Sequence, residues 1–175
     1  RNIYIEISKY ILNQTGKKIF GENANSEWKN ISTFLKLDKN FKAYQGIRDP
    51  RAVLMSWKNL TYEPGNKYLI ILFNWLDAIQ EMEKNLNKFK KRFTYIRFED
   101  IHNNPHKTIS KLYCFLGLKF KKDYLILSNF NKQKKNPFIH INVSGYSNKQ
   151  VIGFSKKRTS NWKKKIQPWE VALTQ

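Results

Sequence analysis

The sequence predicts an α/β protein with a central, mostly parallel sheet flanked by helices. Three observations lead to that class. Segments with apolar residues at helical spacing alternate along the chain with short runs of strand composition. The 175 residues are the size of one domain, and no repeat, low-complexity tract or linker divides them. The hydrophobic fraction of 41%, with 12 Phe, 9 Tyr and 5 Trp, is enough to bury a core and excludes a chain that never collapses.

The elements follow in order. Ile3, Ile7, Tyr10 and Ile11 give residues 2–14 a helical face, and Gly16 ends that helix. Lys18–Phe20 is a short strand candidate leading into Gly21-Glu22-Asn23. Ser26 reads as the N-cap of a second helix, with Trp28, Ile31, Phe34 and Leu35 as its buried stripe. Phe41–Ile47 reads as a strand. It stops at Arg48-Asp49-Pro50, and Pro50 suits the first turn of a helix running to about Leu60. Pro64-Gly65 is a break. A long helix over roughly Lys67–Lys88 places Leu69, Leu72, Phe73, Leu76, Ile79 and Met82 on one side. Met55, Trp57, Phe73 and Trp75 read as core or groove lining. Phe93–Phe98 has strand composition. Pro105 opens a helix carrying Ile109, Leu112, Tyr113, Phe115 and Leu116, and Gly117 closes it. From about 119 to 157 the chain is rich in Lys and Asn and reads as a long surface loop holding a short helix. Trp162 and Pro168-Trp169-Glu170 mark a terminal helix. Residues 1–175 are read as one domain.

Lys and Arg number 33 against 13 Asp and Glu, a formal charge of +20. A field of that sign favours polyanions such as nucleic acid, membrane surfaces, sulfated glycans or nucleotides. A compositional preference for Lys, Asn, Ile and Phe accounts for it equally well. The basic clusters, Lys88–Arg92, Lys119–Lys122, Lys132–Lys135, Lys156–Arg158 and Lys163–Lys165, are dispersed along the chain. No apolar run approaches the roughly 18 residues of a membrane span. Cys114 is the sole cysteine, so no internal disulfide or multi-cysteine zinc site is available. His102, His106 and His140 lack ligand spacing, and no metal is expected. One cysteine and no visible leader after Arg1 point to a cytoplasmic protein.

The sharpest local feature runs from Tyr44 to Ser56, as Tyr-Gln-Gly-Ile-Arg-Asp-Pro-Arg-Ala-Val-Leu-Met-Ser. In α/β sheets, ligands bind beyond the carboxyl ends of strands, and Arg48 stands at such an edge. Ser56 follows eight residues later, about two helical turns. Arg offers a planar fork of donors suited to phosphate, Ser adds a hydroxyl, and a helix N-terminus adds amides. Two readings fit. The segment is a phosphate seat, or Arg48, Asp49 and Arg51 form a structural salt-bridge cluster at a helix start.

These residues resemble the sulfotransferases that use 3′-phosphoadenosine 5′-phosphosulfate (PAPS). In that family a strand ends in Arg-(Asp or Asn)-Pro-Arg and leads into a helix with Ser eight residues after the first Arg. That Arg and Ser hold the 3′-phosphate. Arg48 and Ser56 match in type and spacing. A second block is similar to the family's Tyr-Glu-Asp block and the helix after it. It comprises Arg97-Phe98-Glu99-Asp100-Ile101, Pro105, Lys107, Ile109, Lys111, Leu112 and Phe115-Leu116-Gly117-Leu118, with Phe98 in place of Tyr. A third stretch, Lys156-Lys157-Arg158-Thr159-Ser160-Asn161-Trp162-Lys163, resembles the basic loop that precedes a Trp-Lys pair and closes over the 3′-phosphate. The family's Arg-Lys-Gly is not reproduced letter for letter there. A solvated lysine run with Trp162 anchored in the core is the competing account.

The resemblance implies a P-loop-NTPase-like sulfotransferase fold and transfer of a sulfuryl group from PAPS to a hydroxyl or amine. The acceptor class is a small molecule or a glycan. Arg48, Ser56, Phe98, Lys156, Lys157 and Arg158 are the implied nucleotide-binding residues. The family's 5′-phosphosulfate loop, of the type Pro-(Lys or Arg)-Ser-Gly-Thr on the first strand–helix unit, has no counterpart here, and that strand and loop are expected upstream of Arg1. The family's general base is a His or a Glu. Glu22 lies in the right interval and is the catalytic candidate, its competing role being a structural partner of a nearby Lys or Arg. His102 and His106 read as capping or surface residues, Glu99 and Asp100 as a helix cap paired with a cation, and Tyr62 and Tyr68 as borders of the acceptor site. The alternative function is a basic nucleic-acid or polyanion-binding module using Phe130, Lys132, Lys134, Lys135 and Phe138. It leaves the two strand-end blocks unexplained, so nucleic acid is not the expected partner. A kinase-like fold would need Gly-x-x-x-x-Gly-Lys-(Ser/Thr), which is absent.

Overall fold

The computed structural model describes residues 3–23, 27–58, 68–126 and 154–175. Its sheet pairs β1 (Ala43–Ile47) with β2 (Phe93–Arg97) in parallel, in register from Ala43 opposite Phe93 to Ile47 opposite Arg97. Parallel neighbours need a long crossover. The chain between them includes α3 (Pro50–Trp57) and α4 (Tyr68–Phe89). Before the sheet come α1 (Ile3–Thr15), a 3-10 turn at Glu27–Asn30 and α2 (Ile31–Leu37). After it come α5 (Phe98–Asn103), α6 (Pro105–Leu116) and a 3-10 turn at Lys122–Leu125. The C-terminal stretch holds α7 (Lys157–Ser160), a 3-10 turn at Asn161–Lys164 and α8 (Pro168–Ala172).

Two buried clusters hold these elements. Leu35, Ala43, Met82, Phe89 and Phe93 join α2, the sheet and the C-terminal half of α4. Ala52, Leu54, Met55, Ile71 and Trp162 join α3, the start of α4 and the C-terminal stretch. Burying each of the Leu, Ile, Met and Phe side chains among them contributes roughly 1.5–3 kcal/mol, and each alanine less. Alternation along β1 turns Ala43 and Gln45 inward and leaves Tyr44 exposed. Gln45 Nε2 donates to the Ala78 carbonyl at 2.9 Å, which ties the strand to the middle of α4.

The expected α/β class with a parallel sheet is what the chain adopts. Gly16 and Gly117 end their helices with φ of 62° and 76°. Behind Gly117 the Leu118 N–H returns to the Tyr113 carbonyl at 2.8 Å and the Gly117 N–H to Cys114 at 3.0 Å, a Schellman-type end. A Cβ at position 117 would meet only Lys42 Nζ at 3.8 Å. Gly117→Ala therefore costs left-handed backbone strain rather than a clash. The expected loss is about 1 kcal/mol, read as a lower urea midpoint with an unchanged slope.

Several expectations are corrected. Lys18–Phe20 is not a strand, because extended backbone becomes strand only with a hydrogen-bonded neighbour, and this segment pairs with neither β1 nor β2. The second strand stops at Arg97. Phe98 opens α5, a helix the sequence reading missed, whose first turn carries Glu99 and Asp100 at its positive end. On α4 the inward positions include Ile71, Ile79, Met82 and Phe89, while Leu69, Phe73 and Leu76 are exposed. Trp57 is also exposed, so neither it nor Phe73 is core. The Ser26 cap, the helix extension to Leu60, the Pro64-Gly65 break, Tyr62, His140 and the Phe130–Phe138 stretch lie outside the described residues. Among the described residues no helix is long and apolar enough to cross a membrane.

Candidate functional site

Strand register builds the site. Ile47 pairs with Arg97, so the next residues, Arg48 and Phe98, leave the carboxyl edge of the sheet side by side. The Arg48 guanidinium carbon lies 4.2 Å from the centre of the Phe98 ring, a cation–π contact. One residue further, the Asp49 N–H donates to Glu99 Oε1 at 3.0 Å. From the third side, Trp75 Nε1–H on α4 donates to the Arg48 carbonyl at 2.9 Å. The two strand-end motifs are thus joined residue by residue, and the Arg48 backbone is fixed by β1, α4 and α5.

Asp49 caps α3. Its carboxylate accepts from the Arg51 N–H at 2.9 Å, Arg51 Nε at 2.9 Å and the Arg51 terminal nitrogen at 2.7 Å. Burial pushes the Asp49 carboxyl up, but the Arg51 guanidinium and the first amides of α3 outweigh it and hold the group below its ordinary value. Arg51 in turn lies 4.3 Å over the Trp162 ring. The competing readings of the segment therefore divide. Asp49 and Arg51 form the structural ion pair, while Arg48 stacks on Phe98. One expectation is corrected: the amides opening α3 already face Asp49 and are not an open anion seat. Ser56 is half-buried in the last turn of α3, roughly 9 Å along the axis from Pro50. A ligand shared by Arg48 and Ser56 would lie along the flank of α3 rather than over its end.

The C-terminal stretch reaches the same edge. Phe154 and Ser155 pack on α5: the His102 ring is 4.4 Å from Phe98 and 6.2 Å from Phe154, and His102 Nδ1 accepts the Ser155 N–H at 3.0 Å. His102 is buried, so the expected surface or capping role is overturned. Burial first, then the charges of Arg158 and Arg48, hold this imidazole below its ordinary value, with Glu99 opposing. Of the predicted basic residues, Arg158 is half-buried close to this ring, whereas Lys156 and Lys157 are exposed. Trp162 is anchored in the core, with its Nε1–H donating to the Thr159 carbonyl at 3.0 Å. His106 meets Phe120 edge-on at 5.1 Å and is exposed, as expected.

Glu22 belongs to a different group of side chains. Its Oε2 accepts the Tyr4 hydroxyl at 2.8 Å, and Tyr4 packs against Phe34 and Phe20. Burial and the adjacent carboxylate push the Tyr4 phenol up to about 12. The partner of Glu22 is thus a tyrosine, whereas the competing structural role named a Lys or Arg. Tyr68 meets Trp169 edge-on at 5.2 Å and packs against the second core, which engages it there rather than in an open border. A hollow of about 410 Å³ opens along β2 and α6, lined by Tyr95, Arg97, Asp100, Lys107 and Lys111 among others, and none of the predicted site residues lines it. Among the described residues no group of three or more His, Cys, Asp or Glu could hold a metal ion.

His102 could have been found from the sequence. Phe98 and His102 are four residues apart, which is one helix face once a helix is recognised there.

Comparison with known proteins gives two results. The model of the sulfotransferase family matches residues 6–122, a span that contains both strand-end motifs and stops short of Lys156–Arg158. In fold, the chain is similar to the sulfotransferase domain of the Synechococcus PCC 7002 olefin synthase, with a TM-score of 0.69 and 17% identity over 97% of this chain and 61% of that one. It is similar also to the sulfotransferase domain from the curacin biosynthetic pathway, with a TM-score of 0.68 and 15% identity over 97% and 65%. The chain spans less than two thirds of the length of each. No curated protein sequence matches.

Proposed function

The chain belongs to the sulfotransferase family, and from that membership we propose that it moves a sulfuryl group from PAPS to a hydroxyl or amine of a small-molecule or glycan acceptor. The observation that carries the reading is the Arg48 guanidinium seated 4.2 Å over Phe98 at the shared carboxyl edge. A planar donor fork held still at that edge suits a phosphate monoester such as the ribose 3′-phosphate, the group that distinguishes this nucleotide from ATP. Arg48 and Ser56 bind the 3′-phosphate along the α3 flank. Phe98 fixes the angle of the Arg48 fork. Arg158 adds a second cation, and Lys156 and Lys157 raise the local positive potential from the exposed side. These residues account for the 3′-phosphoadenosine end of the nucleotide only. Sulfuryl transfer leans on positioning and charge neutralisation. It also needs a group to take the acceptor's proton. Glu22 is proposed for that role, with the Tyr4 hydroxyl on Oε2 orienting the carboxylate and Oε1 taking the proton.

Thermal melting with adenosine 3′,5′-bisphosphate, ATP and a short DNA duplex tests the nucleotide reading. At about a hundred times its dissociation constant a specific ligand adds about 2.7 kcal/mol of stability. The expected result is a rise in melting temperature of several degrees with the bisphosphate and little with the other two. Equal shifts with all three would make the +20 charge the whole explanation and overturn the reading.

A further inference from the structure

We infer that His102 is a positioning residue, whose Nδ1 lone pair docks the segment Ser155–Arg158 beside Arg48 and Phe98. The inference rests on the nucleotide reading above for its functional consequence, and on geometry alone for the docking. The imidazole is buried, wedged between the Phe98 ring at 4.4 Å and the Phe154 ring at 6.2 Å. Its Nδ1 accepts the Ser155 N–H at 3.0 Å, so the ring proton sits on Nε2. Three residues on, Arg158 brings its positive charge to the His102 ring, and α7 packs against α5. One acceptor atom thus joins the ring that supports Arg48 to the segment that brings Arg158, Lys156 and Lys157.

Protonation breaks the joint. An imidazolium carries N–H groups on both nitrogens, so a donor would face the Ser155 donor. The charged groups around the ring act in the same direction. Arg48, from the β1–α3 turn, and Arg158, from α7, repel an imidazolium, and Glu99, on α5 itself, opposes them more weakly. With its pKa lowered in the folded chain, His102 binds protons more readily when released. The docked form is therefore complete above the ordinary imidazole value near 6.5 and is lost as pH falls below it toward the folded value.

This role separates from direct phosphate binding by sign. A histidine that touched the phosphate would strengthen binding on protonation, whereas a histidine that docks the segment weakens it. His102→Asn keeps an acceptor near the Nδ1 position and does not titrate, and His102→Leu removes the acceptor. Two readouts are taken on the whole protein. The first is hydrogen exchange over residues 154–158 without ligand. The second is affinity for adenosine 3′,5′-bisphosphate from about pH 7.5 to about pH 5. Exchange in His102→Leu is expected about tenfold faster than in wild type, with His102→Asn close to wild type, as the loss of one hydrogen bond dictates. Wild-type affinity is expected to fall about tenfold more on acidification than that of His102→Asn, a comparison in which the ligand's own protonation cancels. If His102→Leu fails to fold, the wild-type and His102→Asn pH series decides. Equal exchange in all three proteins, or an affinity that rises in wild type relative to His102→Asn, overturns the inference. Wild type that never binds the bisphosphate but shows the expected exchange pattern overturns the nucleotide reading and leaves the docking role standing.

Discussion

Arg48→Ala is expected to lower the affinity for adenosine 3′,5′-bisphosphate by about a hundredfold or more, measured by isothermal titration. The fork would make charge-assisted hydrogen bonds to a dianion. Such bonds are worth roughly 1.5–3 kcal/mol each, and two lost together correspond to about two or more decades in binding. The fold should survive the change. Trp75 hydrogen-bonds the Arg48 carbonyl, which alanine retains, and β1 reaches only Ile47. The stability lost with the Phe98 stack is about 1 kcal/mol. Arg48→Lys should recover little, because an ammonium keeps the charge but neither forks nor stacks as a plane. Lys157→Ala supplies the contrast. That side chain is exposed, its field is screened within about 8 Å at physiological salt, and its removal should weaken binding only about twofold. Equal losses at Arg48 and Lys157 would mean that the nucleotide is held by diffuse charge and that the strand edge is not its seat.

What the sequence showed and what it hid divide along a physical line. The turn Arg48-Asp49-Pro50 was legible because capping by Asp49 and proline at the first helical position act within a few residues. Gly16 and Gly117 were legible for the same reason, since a left-handed φ is a local demand. The contact between Arg48 and Phe98 was not, because it depends on strand register, and residues 50 apart in sequence settle register through the core they share. On α4 the apolar residues occupy more than one side, so periodicity announced a helix without saying which side meets Leu35 and Ala43. Packing chose Met82 and Phe89 and left Leu69, Phe73 and Leu76 outside. Phe98 was read as the last strand residue, and that hid the helix whose next turn carries His102. The Tyr4 partner of Glu22 was hidden because the contact joins residues 18 apart in sequence through packing and not through a local pattern.

The largest stability effect is expected at Glu170, outside the proposed binding residues. This carboxylate is fully buried. Its Oε1 receives Lys58 Nζ at 2.6 Å, and its Oε2 accepts the Gln167 N–H at 2.8 Å in a capping box at the start of α8. The Lys58 side chain remains about 31% exposed, so screening limits what the ion pair itself contributes. The greater cost of removal lies in the donors left behind. Glu170→Ala strands the Gln167 amide and the Lys58 ammonium beside a void, and the expected loss is about 3 kcal/mol in urea unfolding. Glu170→Gln preserves the volume and should cost less than half of that. The two substitutions also separate by pH. Burial pushes the Glu170 carboxyl up, but the Gln167 amide, Lys58 and Tyr68 outweigh it and hold the group below its ordinary value of about 4.5. The folded chain therefore releases this proton more readily than the unfolded chain. The resulting stability is complete above about pH 4.5 and is lost as pH falls through the folded value, so the gap between wild type and Glu170→Gln should close on acidification. Because Lys58 follows α3 and Glu170 lies in α8, this tie and the Trp162 anchor hold the C-terminal stretch to the helix that carries Ser56. Wild type and Glu170→Gln with the same midpoint at neutral pH would show that the tie contributes nothing, and that the C-terminal stretch is held by its other contacts, those of Trp162 and His102 among them.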